Sequence, residues 1–169
     1  VNNQWAISVP RIAQTGAKTL AQKGIAAGLE CLQVDGNDLI AMRAAMDYAI
    51  KRARHGHGGM VIEAVTYRLS DHTTADDARR YRDDSEVKAA WEREPMKRIK
   101  AYLMSLNAWD EKEEEEWKAE CSTKVDAEVN AYLATKSQPT EAMFDFTWAE
   151  LPTDLVAQRA AALARDKAR

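Results

Sequence analysis

The stretch from Tyr67 to Arg82 mixes arginines (Arg68, Arg79, Arg80, Arg82), aspartates (Asp71, Asp76, Asp77), His72 and the pair Thr73-Thr74, with no apolar period. Core packing cannot explain it. A long polar loop in a compact domain is more often functional or disordered than inert, and these groups suit an anion. Arg68 can make bidentate contacts with a phosphate. Histidine is the side chain suited to proton exchange near neutral pH, so His72 is a candidate to donate to phosphate or to transfer a proton. The competing reading is an exposed loop tied down by its own ion pairs, Asp76 or Asp77 with Arg79, Arg80 or Arg82.

Other clusters carry less chemistry. Asn2-Asn3 is a turn signal, although carboxamide oxygens also suit a hard cation such as Mg²⁺. His55 and His57 flank Gly56 without a third ligand close by, which fits an exposed loop. Asp35-Gly36-Asn37-Asp38 looks like the start of a calcium loop, but the required glutamate is missing and a helix begins too soon. It reads as a turn plus a helix cap. The acidic run from Glu113 to Glu116 falls in the first turns of a helix, where carboxylates complement the macrodipole. Cys31 and Cys121 are far apart, each on an apolar face, and read as buried free thiols.

The elements that must position these groups follow from periodicity and breakers. Residues 1–16 read as a strand end and loop, broken by Pro10 and Gly16. Thr15 is expected to cap a helix over 17–27 that Gly28 ends. Cys31–Val34 reads as a strand, followed by a helix over 38–54 capped by Asn37 or Asp38. The apolar face of that helix is read as Leu39, Met42, Met46, Ala49, Ile50 and Ala53. Residues 60–67 read as a strand apolar enough to be covered on both faces. Helix, strand, helix, strand with short links predicts a parallel sheet with crossover helices. Ligands of such sheets bind beyond the carboxyl ends of the strands, where Asn2-Asn3, Asp35-Gly36 and Arg68 all fall. Beyond the loop, helices are expected over 84–93, 96–106, 110–136 and 153–167, with a short one begun by Pro139. Trp117, Cys121, Val125, Val129, Tyr132 and Leu133 stripe the longest of them.

Bulk properties set the outer bounds. With 169 residues, 46% hydrophobic and 30% charged, the chain is globular in composition and long enough for one domain with a core. A net charge of -3 gives no global signal for nucleic acid or an acidic membrane surface. No apolar run approaches the roughly 18 residues of a membrane span. The thiols favour the cytoplasm. The start at Val1, directly on Asn2-Asn3, is read as that of a piece of a longer chain.

Several ordered motifs then coincide: Asn2-Asn3-Gln4-Trp5-Ala6-Ile7-Ser8, Gln33-Val34-Asp35-Gly36-Asn37-Asp38, Thr66-Tyr67-Arg68 through Asp76-Asp77, and Arg80-Tyr81-Arg82, with Phe144-Asp145-Phe146 and Glu150-Leu151-Pro152 near the end. In this order and spacing the chain resembles the alpha subunits of the thiamine-diphosphate-dependent first component of 2-oxo acid dehydrogenase complexes, most of all the bacterial pyruvate dehydrogenase type. The resemblance implies the carboxyl-terminal half of a doubly wound parallel-sheet α/β fold that binds thiamine diphosphate, followed by a helical extension. It divides the chain into a partial core (1–68), an active-site loop (69–83) and the extension (84–169).

The family's cofactor motif begins Gly-Asp-Gly and ends in Asn-Asn, and only the ending is found here. The resemblance implies that Asn3 gives its side-chain oxygen and Trp5 its backbone carbonyl to Mg²⁺. It implies that Arg68 and His72 stand by the diphosphate, His72 serving the later acyl-transfer steps, while Asp76, Tyr81 and Arg82 order the loop. Thr73 occupies the position of a regulatory phosphoserine in mitochondrial relatives, a control not expected here. The implied partners are a beta subunit, in an α2β2 heterotetramer, and the lipoyl domain of the dihydrolipoyl acyltransferase component, with no nucleic acid and no membrane. The implied substrate is pyruvate, with branched-chain 2-oxo acid and acetoin dehydrogenases as alternatives. By itself the 169-residue piece is expected to be inactive. A reading of another class makes it a non-catalytic module that only binds partner subunits.

Overall fold

The computed structural model describes residues 1–167. The chain divides into two compact units, Val1–Glu111 and a second beginning at Lys112. The first starts with a small antiparallel hairpin, β1 (Trp5–Ala6) and β2 (Val9–Pro10), followed at once by the one-turn helix α1 (Arg11–Gln14). Residues 1–16 thus hold more structure than a strand end and loop. Pro10 is the N-cap of α1 rather than a breaker, because its fixed φ suits the entry to a helix.

The expected helix over 17–27 is a 3-10 helix confined to Ala21–Ala27. It ends on Gly28 in the left-handed conformation, as expected. Thr15 lies outside it, its hydroxyl taking the amide of Ala17. The segment stays tight because Gly24 lies flat on the next strand: a Cβ there would come within 2.6 Å of Val61 and 2.8 Å of the Cys31 sulfur.

β3 (Glu30–Asp35), α2 (Leu39–Arg54) and β4 (Met60–Val65) form the strand, helix, strand unit that the periodicity predicts. The two strands are parallel, with Glu30 opposite Met60 and Asp35 opposite Val65. Asp38 caps α2, its Oδ1 accepting from the amides of Ile40 (3.0 Å) and Ala41 (2.9 Å). On the far side of β4, Asn2 forms a parallel bridge with Val65. Its amide donates to Ala64 and its carbonyl accepts from Thr66, both at 2.8 Å. The first residues of the chain therefore run as a third strand position beside β4.

Two patterns differ from the expected ones. In α2 the fully buried residue is Ala45, while Leu39, Met46, Ile50 and Ala53 are exposed. Period alone marks an apolar stripe without saying which of its edges meets the sheet, and small alanines allow the closest approach. β4 ends at Val65, and its most buried residue is the charged Glu63, not an aliphatic one. Ala21, Ala45, Ala64, Ala78 and Ala90 are the buried apolar residues among those described.

Past the polar loop come α3 (Asp84–Trp91) and α4 (Pro95–Ser105), each capped by an acidic side chain, Asp83 and Glu94. Arg98 of α4 reaches back to Asp35 (2.7 Å) and Asp38 (3.0 Å), tying α4 to the end of β3 and the start of α2. In the second unit α5 (Glu111–Ala134) carries i,i+4 ion pairs such as Glu120–Lys124 at 2.6 Å. The short α6 (Ala142–Asp145) is tied to α7 (Thr153–Lys167) by Asp145 and Arg159 at 3.1 Å. No residue of α5 is buried, and Val125, Val129, Tyr132 and Leu133 of its stripe are exposed. Cys31 and Cys121 are free, as expected, but half-buried rather than buried. Among the described residues no helix is long and apolar enough to cross a membrane.

Candidate functional site

The turn between the first strand position and β1 is built by side chains bonding forward to the backbone. Asn2 Oδ1 accepts from the amide of Gln4, and Asn3 Oδ1 from the amide of Trp5, both at 3.1 Å. Gln4 has φ 70°, the left-handed region that a residue with a Cβ seldom occupies. Its side chain returns to the Asn2 carbonyl at 3.3 Å, and its own carbonyl accepts from the Arg11 amide at 2.8 Å. Ile7, in the two-residue link of the hairpin, also has a positive φ of 55°. A β-branched residue there is an outlier, and such strain gathers at functional sites.

The two asparagines are not equivalent. Asn2 is buried, and its Nδ2 donates to Glu63 Oε1 at 2.7 Å. Asn3 is half-buried, and its side-chain oxygen accepts from the Trp5 amide. A carboxamide oxygen has two lone pairs, so that of Asn3 could also accept a cation, and oxygen is the ligand type that Mg²⁺ takes.

The polar loop is ordered by its own side chains and docked on this turn. Arg68 takes its place through its backbone, the amide donating to the Asn3 carbonyl at 3.1 Å. One terminal nitrogen of its guanidinium bonds both the Ile7 carbonyl and the Tyr81 hydroxyl, each at 2.9 Å. Arg68 Nε is buried without a hydrogen-bond partner, a donor that an anion would satisfy. The Tyr81 hydroxyl donates to Asp76, which also accepts the backbone amide of His72 at 3.0 Å. These hydrogen bonds from Tyr81 and His72 hold the Asp76 carboxyl below its usual range. Trp5 packs on Tyr81, ring centroids 5.7 Å apart. Arg82 is buried and gathers the loop's carbonyls, those of Arg68, Leu69 and Ser70. Asp71 receives the Ala78 amide at 3.1 Å, at the start of a 3-10 turn over Ala78–Arg80.

Of the residues that the sequence singles out, then, Trp5, Arg68, Asp76, Tyr81 and the backbone of His72 form one connected network that Asn3 joins through its main chain. His72 and Thr73 themselves are exposed. Of the internal ion pairs considered for the loop, Asp77 with Arg79 forms, at 2.8 Å and solvent-exposed, whereas Asp76 and Arg82 have the other partners just described. Among the described residues no group of three His, Cys, Asp or Glu side chains could hold a metal, and His55 is exposed with its ring on the Lys51 carbonyl.

Beyond the strand ends lies an open cleft of about 560 Å³, lined among others by Gln4, Gln33, Asp35, Asn37, Tyr67 and Arg93. Because the strands run parallel, Asn2, Asp35 and Val65 lie at the same end of the sheet. Glu63 is the residue that periodicity misses. A glutamate inside Met60-Val61-Ile62-Glu63-Ala64-Val65 was the available signal, since a charge in a buried strand needs partners.

Residues 1–141 match the protein family described as "Dehydrogenase E1 component". The chain is 41% identical, over 158 residues, to the 3-methyl-2-oxobutanoate dehydrogenase subunit alpha of Mycobacterium tuberculosis, a match covering 94% of this chain and 43% of that protein. It is 40% identical over 159 residues to the pyruvate dehydrogenase E1 component subunit alpha of Staphylococcus epidermidis, covering 93% and 43%. With the protein of the same name from Acholeplasma laidlawii the figures are 38% over 161 residues, 93% and 46%. The chain thus spans less than half the length of these curated relatives.

Proposed function

Because the chain belongs to the dehydrogenase E1 component family, we propose that it is part of the alpha subunit of a thiamine-diphosphate-dependent 2-oxo acid dehydrogenase acting on pyruvate. The observation that carries the reading is the strained Asn3–Trp5 turn, with the Arg68 loop hydrogen-bonded onto it beyond the strand ends. Asn3 Oδ1 and the Trp5 carbonyl would hold Mg²⁺, and Arg68 would offer Nε to the diphosphate. When bound, thiamine diphosphate supplies the electron sink for decarboxylation.

The rest falls to this chain's side chains. Asp76, Tyr81 and Arg82 keep the loop in one conformation, so that the ordering entropy is met before ligand arrives. His72, exposed and held through its backbone amide, is free to present its imidazole to a reactant entering from solvent and to donate a proton during acyl transfer. The partners would be a beta subunit, in an α2β2 assembly, and a lipoyl domain, in the cytoplasm. The core (1–68), loop (69–83) and helical extension (84–169), and a doubly wound sheet in the whole protein, belong to the same proposal. Thr73 is exposed, but no phosphate control is proposed.

A branched-chain substrate is the second reading, favoured by the 41% identity to a 3-methyl-2-oxobutanoate dehydrogenase subunit. The full-length protein with its beta partner should be assayed on pyruvate, 3-methyl-2-oxobutanoate and acetoin, with Mg²⁺ and thiamine diphosphate. Fastest turnover of pyruvate is expected; faster turnover of the branched acid replaces the first reading by the second. No turnover of any of the three would leave the reading of a non-catalytic, partner-binding chain.

A further inference from the structure

Glu63 lies in the middle of β4 with 4% of its surface exposed. Both its oxygens are acceptors: Oε1 takes Asn2 Nδ2 at 2.7 Å and Oε2 takes the Ala21 amide at 2.9 Å. It joins three segments distant in sequence. Asn2 in turn spends its side-chain oxygen on the Gln4 amide. A line of hydrogen bonds therefore runs from the carboxylate through Asn2 to the left-handed residue of the turn.

Successive side chains of an extended strand face opposite ways. With Asn2 anchored inward on Glu63, Asn3 is turned to the other side, where its oxygen meets the Trp5 amide. Were the Asn2 side chain released, the Gln4 amide would lose its acceptor, leaving Gln4 held by its own side chain on the Asn2 carbonyl and by the Arg11 amide. A buried carboxylate is also a costly staple for a strand, since well-packed apolar residues would stabilise it at least as well. Its charge is explained by the need for two acceptors at one point.

Resting on the thiamine-diphosphate reading of that turn, we infer that Glu63 is a positioning residue: through Asn2 it fixes the backbone from which Asn3 and Trp5 present their oxygens to a metal-bound diphosphate. Glutamine in its place would offer one acceptor to two donors. Flipping the Asn2 amide to compensate would set its NH₂ against the Gln4 amide. The network therefore needs one carboxylate, but the carboxylate can sit at either end. In the double variant Asn2→Asp with Glu63→Gln, the new carboxylate accepts from Gln4 and from the new amide, whose oxygen still takes Ala21. The bonds to Gln4 and Ala21 and the one between positions 2 and 63 are kept, and the charge has moved by one side chain.

The test uses the full-length alpha chain with its beta partner. Calorimetry measures binding of thiamine diphosphate in saturating Mg²⁺, and amide hydrogen exchange is followed at Gln4 and Trp5 without cofactor. Glu63→Gln should weaken binding by about tenfold or more, as loss of a residue that orients metal ligands does, and should speed exchange at both amides. The double variant should return both towards wild type. Wild-type binding in Glu63→Gln, or a double variant that folds poorly or stays weak, would overturn the inference. If the wild type binds no thiamine diphosphate, the functional reading fails. The exchange data then still judge Glu63, and exchange unaltered by Glu63→Gln would defeat its hold on the turn.

Discussion

At the scale of single residues, Glu63 sets an acid limit for the fold. Burial pushes its carboxyl up, but the hydrogen bonds from the Ala21 amide, Asn2 and Gln33 outweigh burial and hold it below its ordinary value of 4.5. A carboxyl whose folded value is depressed contributes stability that is fully present above the unfolded value and is lost as the pH falls through the folded one. Acid unfolding followed by circular dichroism should therefore show a loss of stability below pH 4.5 that Glu63→Gln flattens. Equal slopes in the two proteins would contradict the assignment. Tyr81 makes a different, local contribution. Tyr81→Phe removes the hydroxyl between Arg68 and Asp76 at a cost of about 1 kcal/mol. Its main effect should be faster proteolytic cutting between Leu69 and Asp77, with the thermal midpoint little changed. The arginines and His72 were visible in the sequence as an unpacked polar stretch. The turn at Asn2-Asn3 was visible too, but the bond between Asn2 and Glu63 was not, because it joins residues 61 positions apart.

Among the elements, α2 shows how far local signals reach. Its cap was narrowed in the sequence to Asn37 or Asp38, and Asp38 holds the two first-turn amides. Asp38 also receives Arg98 from α4, so one side chain starts a helix and fastens another. Asp38→Ala should cost about 1 kcal/mol through the cap, read as a lower urea midpoint at unchanged slope. A changed slope would mean that more than the helix start is affected. The 3-10 helix at Ala21–Ala27 tells the opposite story. Residue propensities allow an ordinary helix there, but its amide end is claimed by Glu63 and its glycine is pressed against Val61 and Cys31. Tertiary contacts override a propensity worth tenths of a kcal/mol per residue.

For the molecule as a whole, the exposed apolar surface is the leading feature. In the first unit Leu39, Ile40, Met46 and Ile50 of α2 face solvent; in the second, Trp117, Val125, Val129 and Tyr132 do. Such surface marks interaction sites or aggregation. The 169-residue chain should accordingly bind a hydrophobic dye and sediment with a concentration-dependent mass. A dye-silent monomer would show that these faces are covered in solution. Local patterns along the chain were enough to place α2, β3, β4, α3, α4, α5 and α7, though not the start of α6, which lies at Ala142 rather than Pro139, to pair the two strands in parallel through a crossover helix, and to name the family of the ordered motifs. Those are properties of neighbouring residues: period, caps, breakers and spacing. Folding in three dimensions settled the rest: which edge of α2 meets the sheet, that the stripe of α5 is uncovered, that Asn2 rather than Asn3 is buried, and that a buried glutamate is its partner. Burial and long-range hydrogen-bond partners are set by segments far apart along the chain, and local patterns can only hint at them.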